Sequence, residues 1–296
     1  KNIHNSPQLP LLGSFQFLCS MSNYFYKNKL KSLYNFKEFH GICKIYILSS
    51  RNNEKSRGTF IFFTGLCGLL CQMMDIIKII IDSGYDILIP VYSPSQVSLE
   101  HNLQKHHEYD FYNCIIEYLN YMNIYNIHIA AWSLGGVKYL GFESIIHNNE
   151  HNFNINGVYL FEPLLCSRSI LDCFTMHHRP WKKSLNIINA RTPHLNFKFM
   201  ILNYFMSYFF HTILAYGTAN STDYLKHIEY KFDSKKYDYN RYLFVSRSDY
   251  LLNEEFDKNF INMRFSKQFV FYRNGYHGGW LSSQKLKSTF GMLIKN

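Results

Sequence analysis

The sequence lacks the cysteine and histidine patterns of metal-binding or disulfide-stabilised proteins. Its seven cysteines are an odd number, and no two of them form a CxxC pair. The adjacent pairs His106-His107 and His177-His178 point in different directions, and no carboxylate spacing accompanies them. We therefore expect free thiols in a reducing compartment, with no metal site and no cofactor.

A run of apolar residues long enough to span a membrane is also absent. Residues 196–217 come closest, but Lys198, Asn203 and His211 interrupt them. Residues 8–19 are mildly apolar without the arrangement of a signal peptide. We expect a cytoplasmic protein. Because residue 1 is Lys rather than Met, a targeting segment upstream of it stays an alternative.

Acidic residues are few, with 21 Asp and Glu against 31 Lys and Arg, and the formal net charge is +10. A basic balance favours anionic partners. The basic residues are scattered, however: Lys27, Lys29 and Lys31 alternate too sparsely to form a binding tract. No nucleic-acid-binding motif accompanies them. We expect a solvated surface and no nucleic-acid partner, with peripheral contact to a membrane surface as the alternative.

Hydrophobic residues, in contrast, make up 47% of the 296 residues, enough for a large core in a single domain. From about residue 40, strand-like and helix-like stretches alternate, which predicts a mostly parallel sheet. The predicted strands are 42–48, 59–64, 85–92, 126–131, 158–161, 241–245 and 268–272, and the predicted helices are 69–83, 99–122, 136–146 and 281–293.

Residues 164–238 break this alternation, and they are rich in Tyr and Phe. They predict an insertion, helical in part, between two portions of one α/β core. The expected organisation is therefore an N-terminal extension (1–35), the first part of the core (36–163), the insertion (164–238) and the second part of the core (239–296).

Ser133 lies where the apolar strand NIHIAA gives way to a helical pattern, in the sequence AWSLGG over residues 131–136. A strand-to-helix turn that holds a nucleophile in a strained conformation needs small residues two before and two after it. Ala131 and Gly135 occupy those positions, so that Ala131 replaces the more usual glycine. The alternative is a serine that only caps the helix.

This turn resembles the nucleophile elbow of the α/β-hydrolase superfamily, and AWSLGG is similar to the GWSLGG of bacterial carboxylesterases. The resemblance implies an α/β-hydrolase fold, with a mostly parallel central sheet flanked by helices and a helical cap insertion. It also implies a catalytic acid after the strand that follows the cap and a histidine after the last strand. Asp249 and His277 occupy those places, and Glu162, at the end of an earlier strand, is the alternative acid.

The resemblance further implies two backbone N–H donors for a developing oxyanion. One is Leu134, directly after Ser133. The other comes from Thr64-Gly65-Leu66-Cys67-Gly68, which is similar to the HGxxG loop of the family with Thr in place of His. This alignment assigns the second donor to Leu66.

The predicted insertion suggests the kind of substrate. Apolar and aromatic side chains recur at helical spacing from Phe197 to His211. An apolar lid suits an acyl chain, although such a face also suits packing on the body of the protein. We expect a serine esterase or lipase-like hydrolase of a small-molecule or lipid ester, acting through an acyl-enzyme. An acyltransferase and a catalytically inactive binding protein of the same fold are the alternatives.

Overall fold

A computed structural model describes residues 24–41, 43–52, 55–65, 70–91, 104–133, 135–148, 152–163, 239–244 and 283–295. Seven strands form one sheet in the order β1-β2-β4-β3-β5-β6-β7. They are β1 (Asn35–His40), β2 (Lys44–Ser49), β3 (Thr59–Phe63), β4 (Asp86–Val91), β5 (Asn126–Trp132), β6 (Asn154–Phe161) and β7 (Asn240–Phe244).

The sheet is mostly parallel. Strand β2 runs antiparallel to both of its neighbours, β1 and β4. From β4 onward, through β3, β5, β6 and β7, all neighbouring strands are parallel. Strands β3 to β7 therefore end at the same edge of the sheet, the edge at which Ser133 follows β5. We call it the Ser133 edge.

Helices cover both faces of the sheet. Residues 24–33 form α1, followed by α2 (Leu70–Asp82), α3 (Gln104–Tyr121), α4 (Gly135–Asn148) and α5 (Gln284–Lys295). Buried side chains of α3 and α4 pack on one face, and those of α1, α2 and α5 pack on the other. The sheet thus lies between two helical layers, as expected for parallel strands that are buried on both sides.

The sequence patterns locate β2 to β7 and α2 to α5 to within a few residues. Strand β3 is the clearest case, because all five residues of TFIFF are buried and β-branched and aromatic side chains favour such strands. Strand β1 was not predicted. It is an edge strand whose residues are exposed or half-buried, so NFKEFH has no apolar alternation to reveal it. The predicted strand 268–272 and insertion 164–238 lie outside the described residues.

A buried ionic cluster joins α4 to β7, the strand that follows the predicted insertion. Arg241 Nη2 donates to Glu143 Oε1 over 2.7 Å, and both side chains are at least nine-tenths buried. The hydroxyls of Tyr139 and Tyr239 also donate to this carboxylate oxygen. A buried charge is tolerated only when it is paired and hydrogen-bonded. The cluster therefore fixes where the chain re-enters the sheet.

An aromatic cluster surrounds His128 on the opposite face. Its ring stacks on Phe60 at 4.9 Å between centroids and meets Tyr85 edge-on at 5.1 Å. Its Nδ1 makes no hydrogen bond to the part of the chain that the structure describes. Burial, and secondarily the positive charge of Arg57, lowers the pKa of His128 to about 4. The histidine is therefore neutral at neutral pH.

This pKa predicts an acid-sensitive stability. In the unfolded chain His128 takes up a proton near its ordinary pKa of 6.5, whereas in the folded protein it does so only near 4. Between these values the unfolded state binds more protons, so stability is full above the unfolded pKa and is lost as pH falls towards the folded one. Between about pH 7 and about pH 5 we expect His128 to cost the wild type about 2 kcal/mol of its free energy of unfolding. The variant His128→Phe should not show this part of the loss.

Urea unfolding at the two pH values measures this difference. Substitution of His40 by Phe is the matched control, because its side chain is 63% exposed. Equal losses in the wild type and in His128→Phe would contradict the assignment.

Candidate active site

Ser133 occupies a strained turn between β5 and α4. Its backbone φ is 52°, in the left-handed region that non-glycine residues rarely enter. Its N–H donates to the carbonyl of Phe161 over 3.1 Å, and its own carbonyl accepts from the N–H of Gly136 over 2.9 Å. Such a conformation costs on the order of 1–3 kcal/mol and persists only where the surrounding structure fixes it. The residue is 7% exposed.

Gly135 explains why the turn is so tight. A Cβ at this position would lie 2.1 Å from the carbonyl oxygen of Phe63 and 2.9 Å from that of Thr64. The first residue of α4 therefore sits directly against the end of β3, where only a glycine fits. Because of this contact, the chain must turn from β5 into α4 within the few residues around Ser133.

The beginning of the loop after β3 also lies against this turn. A Cβ on Gly65 would be 3.1 Å from the Trp132 ring and 3.3 Å from the Cβ of Ser133. Thr64 is 2% exposed. The loop predicted to supply an oxyanion donor thus starts in contact with the serine.

Glu162 directly follows β6, the strand beside β5. Trp132 pairs with Phe161 in the sheet, and Ser133 and Glu162 are the next residues along the two adjacent strands. Glu162 is 2% exposed and also left-handed, with φ of 42°. Its N–H donates to the carbonyl of Phe244, at the end of β7, over 2.7 Å.

These two strained residues differ from a third, Asn123, whose φ is 55°. Asn123 closes the end of α3, and Asn is a common left-handed residue at helix ends. Ser133 and Glu162 have neither that residue type nor that position. Two such residues side by side at the edge of a sheet are typical of a functional site.

No protein-family model and no curated protein sequence matches the chain, whereas solved structures do. A thermostable esterase from Pseudomonas putida is similar over 98% of this chain and 92% of its own, with 14% identity and a TM-score of 0.61. An esterase from Pyrococcus furiosus matches over 90% and 92%, with 12% identity and a TM-score of 0.53. A haloalkane dehalogenase variant from Bradyrhizobium elkanii matches over 88% and 95%, with 12% identity and a TM-score of 0.53.

The chain has the α/β-hydrolase fold. The strand order, with β2 antiparallel in an otherwise parallel run, and the tight turn after β5 agree with it. In this sheet Ser133 follows β5 in a tight turn that leads into α4, and Glu162 follows the neighbouring strand β6.

The structure describes only two of the predicted site residues, Ser133 and the alternative acid Glu162, and it places them side by side. Asp249, His277, Leu66 and Leu134 fall in segments that it leaves undescribed. What the sequence did not reveal is the left-handed backbone of Glu162, since a glutamate before proline carries no signal of such a conformation.

Among the described residues, no three His, Cys, Asp or Glu side chains are placed to hold a metal ion. In those same segments no helix combines the length and the apolar character needed to cross a bilayer. Cys43 and Cys114 are buried, and the thiol of Cys114 donates to the carbonyl of Cys43 over 3.6 Å.

The elbow geometry predicts a large cost for the smallest side chain at Gly135. In Gly135→Ala the new methyl group overlaps the Phe63 carbonyl, so β3 and α4 must separate, and we expect a loss of about 3 kcal/mol or more. Urea unfolding measures it, or soluble yield if the variant does not fold. Gly291→Ala in α5 is the matched control. Its Cβ would lie 3.5 Å from Ile79 Cγ2, and we expect no loss. An unchanged midpoint for Gly135→Ala would contradict the packing described.

Proposed function

We propose that the protein is a serine hydrolase of carboxylic esters, with Ser133 as its nucleophile. The observation that carries the proposal is the left-handed Ser133 at the end of β5, held there by the contact of Gly135 with Phe63. Supporting it are the similar structures from Pseudomonas putida and Pyrococcus furiosus, both of which are esterases.

The chemistry follows from the residue types. His277 would accept the proton of Ser133 Oγ as the oxygen attacks the ester carbonyl carbon. The C–O bond then breaks, and the alcohol leaves with that proton, which gives an acyl-enzyme. Water activated by His277 hydrolyses the acyl-enzyme and restores Ser133. The N–H groups of Leu134 and Leu66 would stabilise the negative oxygen of both tetrahedral intermediates.

The ends of the described elements support the roles of Asp249 and His277. Strand β7 ends at Phe244 beside Glu162, and five residues fully extended reach about 17 Å, which limits how far Asp249 lies from the Ser133 edge. Helix α5 ends at the opposite edge, where Tyr85 donates to the carbonyl of Ile294. It therefore begins on the side of the Ser133 edge, seven residues after His277.

The substrate we propose is an ester with an apolar acyl group. This part of the proposal depends on the apolar helical pattern from Phe197 to His211 in the predicted insertion. A binding site for an acyl chain is typically lined by apolar and aromatic side chains of this kind.

A fluorophosphonate probe tests the nucleophile. We expect labelling of the wild type and none of Ser133→Ala, together with a loss of ester hydrolysis on the order of a thousandfold or more. Alanine keeps the Cβ, so the variant should fold normally. Ser83→Ala, at a buried serine of the opposite edge, is the control and should label fully.

A panel of esters of increasing acyl length, run on the same proteins, tests the substrate. A folded wild type that neither labels nor hydrolyses esters would instead be a binding protein.

Two substitutions distinguish the candidate acids. We expect Asp249→Asn to lower kcat on the order of 10³–10⁴-fold, because the amide cannot stabilise a charged imidazole. Glu162→Gln should lower it less than about tenfold, because the amide keeps the size of the side chain and one acceptor oxygen.

Steady-state hydrolysis measures both effects, with Asp82→Asn as the control, because the Asp82 side chain is 54% exposed at the end of α2. The reverse result, with Glu162→Gln inactive and Asp249→Asn active, would transfer the role of the acid to Glu162.

A further inference from the structure

The outward face of α1 combines lysines with exposed aromatic rings. Leu30 is fully buried and anchors the helix to the sheet. On the opposite side Tyr24 is 64% exposed and Phe25 is 62% exposed. Lys29 and Lys31 are exposed beside them. We call Tyr24, Phe25, Lys29 and Lys31 the α1 surface. Large exposed aromatic side chains among basic ones are typical of interaction surfaces.

The positive charge of the chain is concentrated in the segment that contains this surface. Residues 24–52 contain six Lys and Arg and one acidic residue, Glu38, so they carry half of the formal net charge of +10. In the sequence Lys27, Lys29 and Lys31 are separated by single residues and form no continuous basic run. In the helix Lys29 and Lys31 lie on either side of the outward face.

Glu38 neutralises little of this charge. Lys27 Nζ contacts its carboxylate over 2.6 Å, and Lys31 Nζ lies 3.5 Å from the same group. Two lysines thus share one carboxylate. Lys29 forms no ion pair with the part of the chain that the structure describes. The α1 surface therefore keeps a net positive charge.

The aromatic end of α1 lies on the side of the Ser133 edge. Lys27 contacts Glu38 and Lys31 lies over the ring of Phe36, so α1 runs antiparallel to β1. Strand β1 is in turn parallel to β4, because β2 is antiparallel to both. The first residues of α1 are therefore nearest to His40, at the edge where β4 and β5 end. Four strand spacings, about 20 Å, separate β1 from β5.

We propose that the α1 surface docks on an anionic lipid bilayer. Tyr24 and Phe25 would enter the headgroup region, where aromatic rings are favoured. Lys29 and Lys31 would face the lipid phosphates, each strengthening binding about fivefold. Lysine carries a point charge on a flexible stem and has no fixed hydrogen-bonding geometry. This property suits the mobile phosphates of a bilayer better than it suits a single ligand of defined shape.

Docking in this orientation brings the Ser133 edge towards the bilayer. An ester held in the membrane would then reach the site without crossing much water. This consequence rests on the proposed function, whereas the docking itself depends only on the α1 surface.

Co-sedimentation of the full chain with vesicles tests the docking. Wild type should bind vesicles of equal parts phosphatidylcholine and phosphatidylserine at low salt, and should bind pure phosphatidylcholine far more weakly. We expect Lys29→Gln with Lys31→Gln to weaken binding about thirtyfold. Tyr24→Ser with Phe25→Ser should also weaken it by tenfold or more.

Two matched variants control for charge and for aromatic surface elsewhere. Lys285→Gln with Lys295→Gln removes the same charge from α5, and Tyr121→Ser removes a ring that is 77% exposed at the end of α3. Both should bind like the wild type. All variants should keep the wild-type unfolding midpoint and the hydrolysis of a water-soluble ester, which separates a failure of docking from a failure of the proposed function.

Three results would overturn the proposal. The first is no binding of the folded wild type to the anionic vesicles, and the second is equal loss in the α1 and control variants. The third is tight binding of single-stranded RNA without vesicle binding, which would make the α1 surface a nucleic-acid site.

Discussion

The end of β3 and the start of α4 touch backbone to backbone at Phe63 and Gly135, and the geometry of the Ser133 edge depends on this contact. There is no room for a side chain between them, so the chain must leave β5 and enter α4 within a very short turn. Ser133 takes the left-handed conformation as a result. The same closeness places Gly65 against Ser133. The cost of this conformation is small compared with the free energy gained by burying β3, β5 and α4 in the core, so the packed core keeps Ser133 left-handed.

The opposite edge of the sheet is fixed by polar groups. Glu143 and Arg241 are buried and paired, so α4 and β7 cannot separate without leaving a charge in the core. This pair sets β7 beside β6 at the point where the chain returns from the predicted insertion. Through that register the carbonyl of Phe244 receives the N–H of Glu162. The polar cluster at one edge thus helps to position the backbone at the other.

Charge is also organised by the fold. In the sequence the lysines before β1 alternate with other residues and form no tract. In the structure α1 lies along β1, and a single glutamate, Glu38, serves both Lys27 and Lys31. A surface that is unremarkable as a sequence becomes basic and aromatic once the helix is in place. It also comes to lie on the side of the sheet where the candidate nucleophile is found.

The sequence by itself determined the α/β architecture, the strands from β2 to β7, and Ser133 as the candidate nucleophile, because these depend on local patterns. Buried parallel strands need apolar runs, and a tight elbow needs small residues beside its serine. It did not determine β1, whose half-exposed residues have no periodicity. Only the tertiary structure decided that Glu162 lies next to Ser133 and that Gly135 meets Phe63. It alone decided that Arg241 pairs with Glu143, far apart in the chain. These contacts join residues on different strands and helices, and no local pattern records which elements become neighbours when the sheet forms.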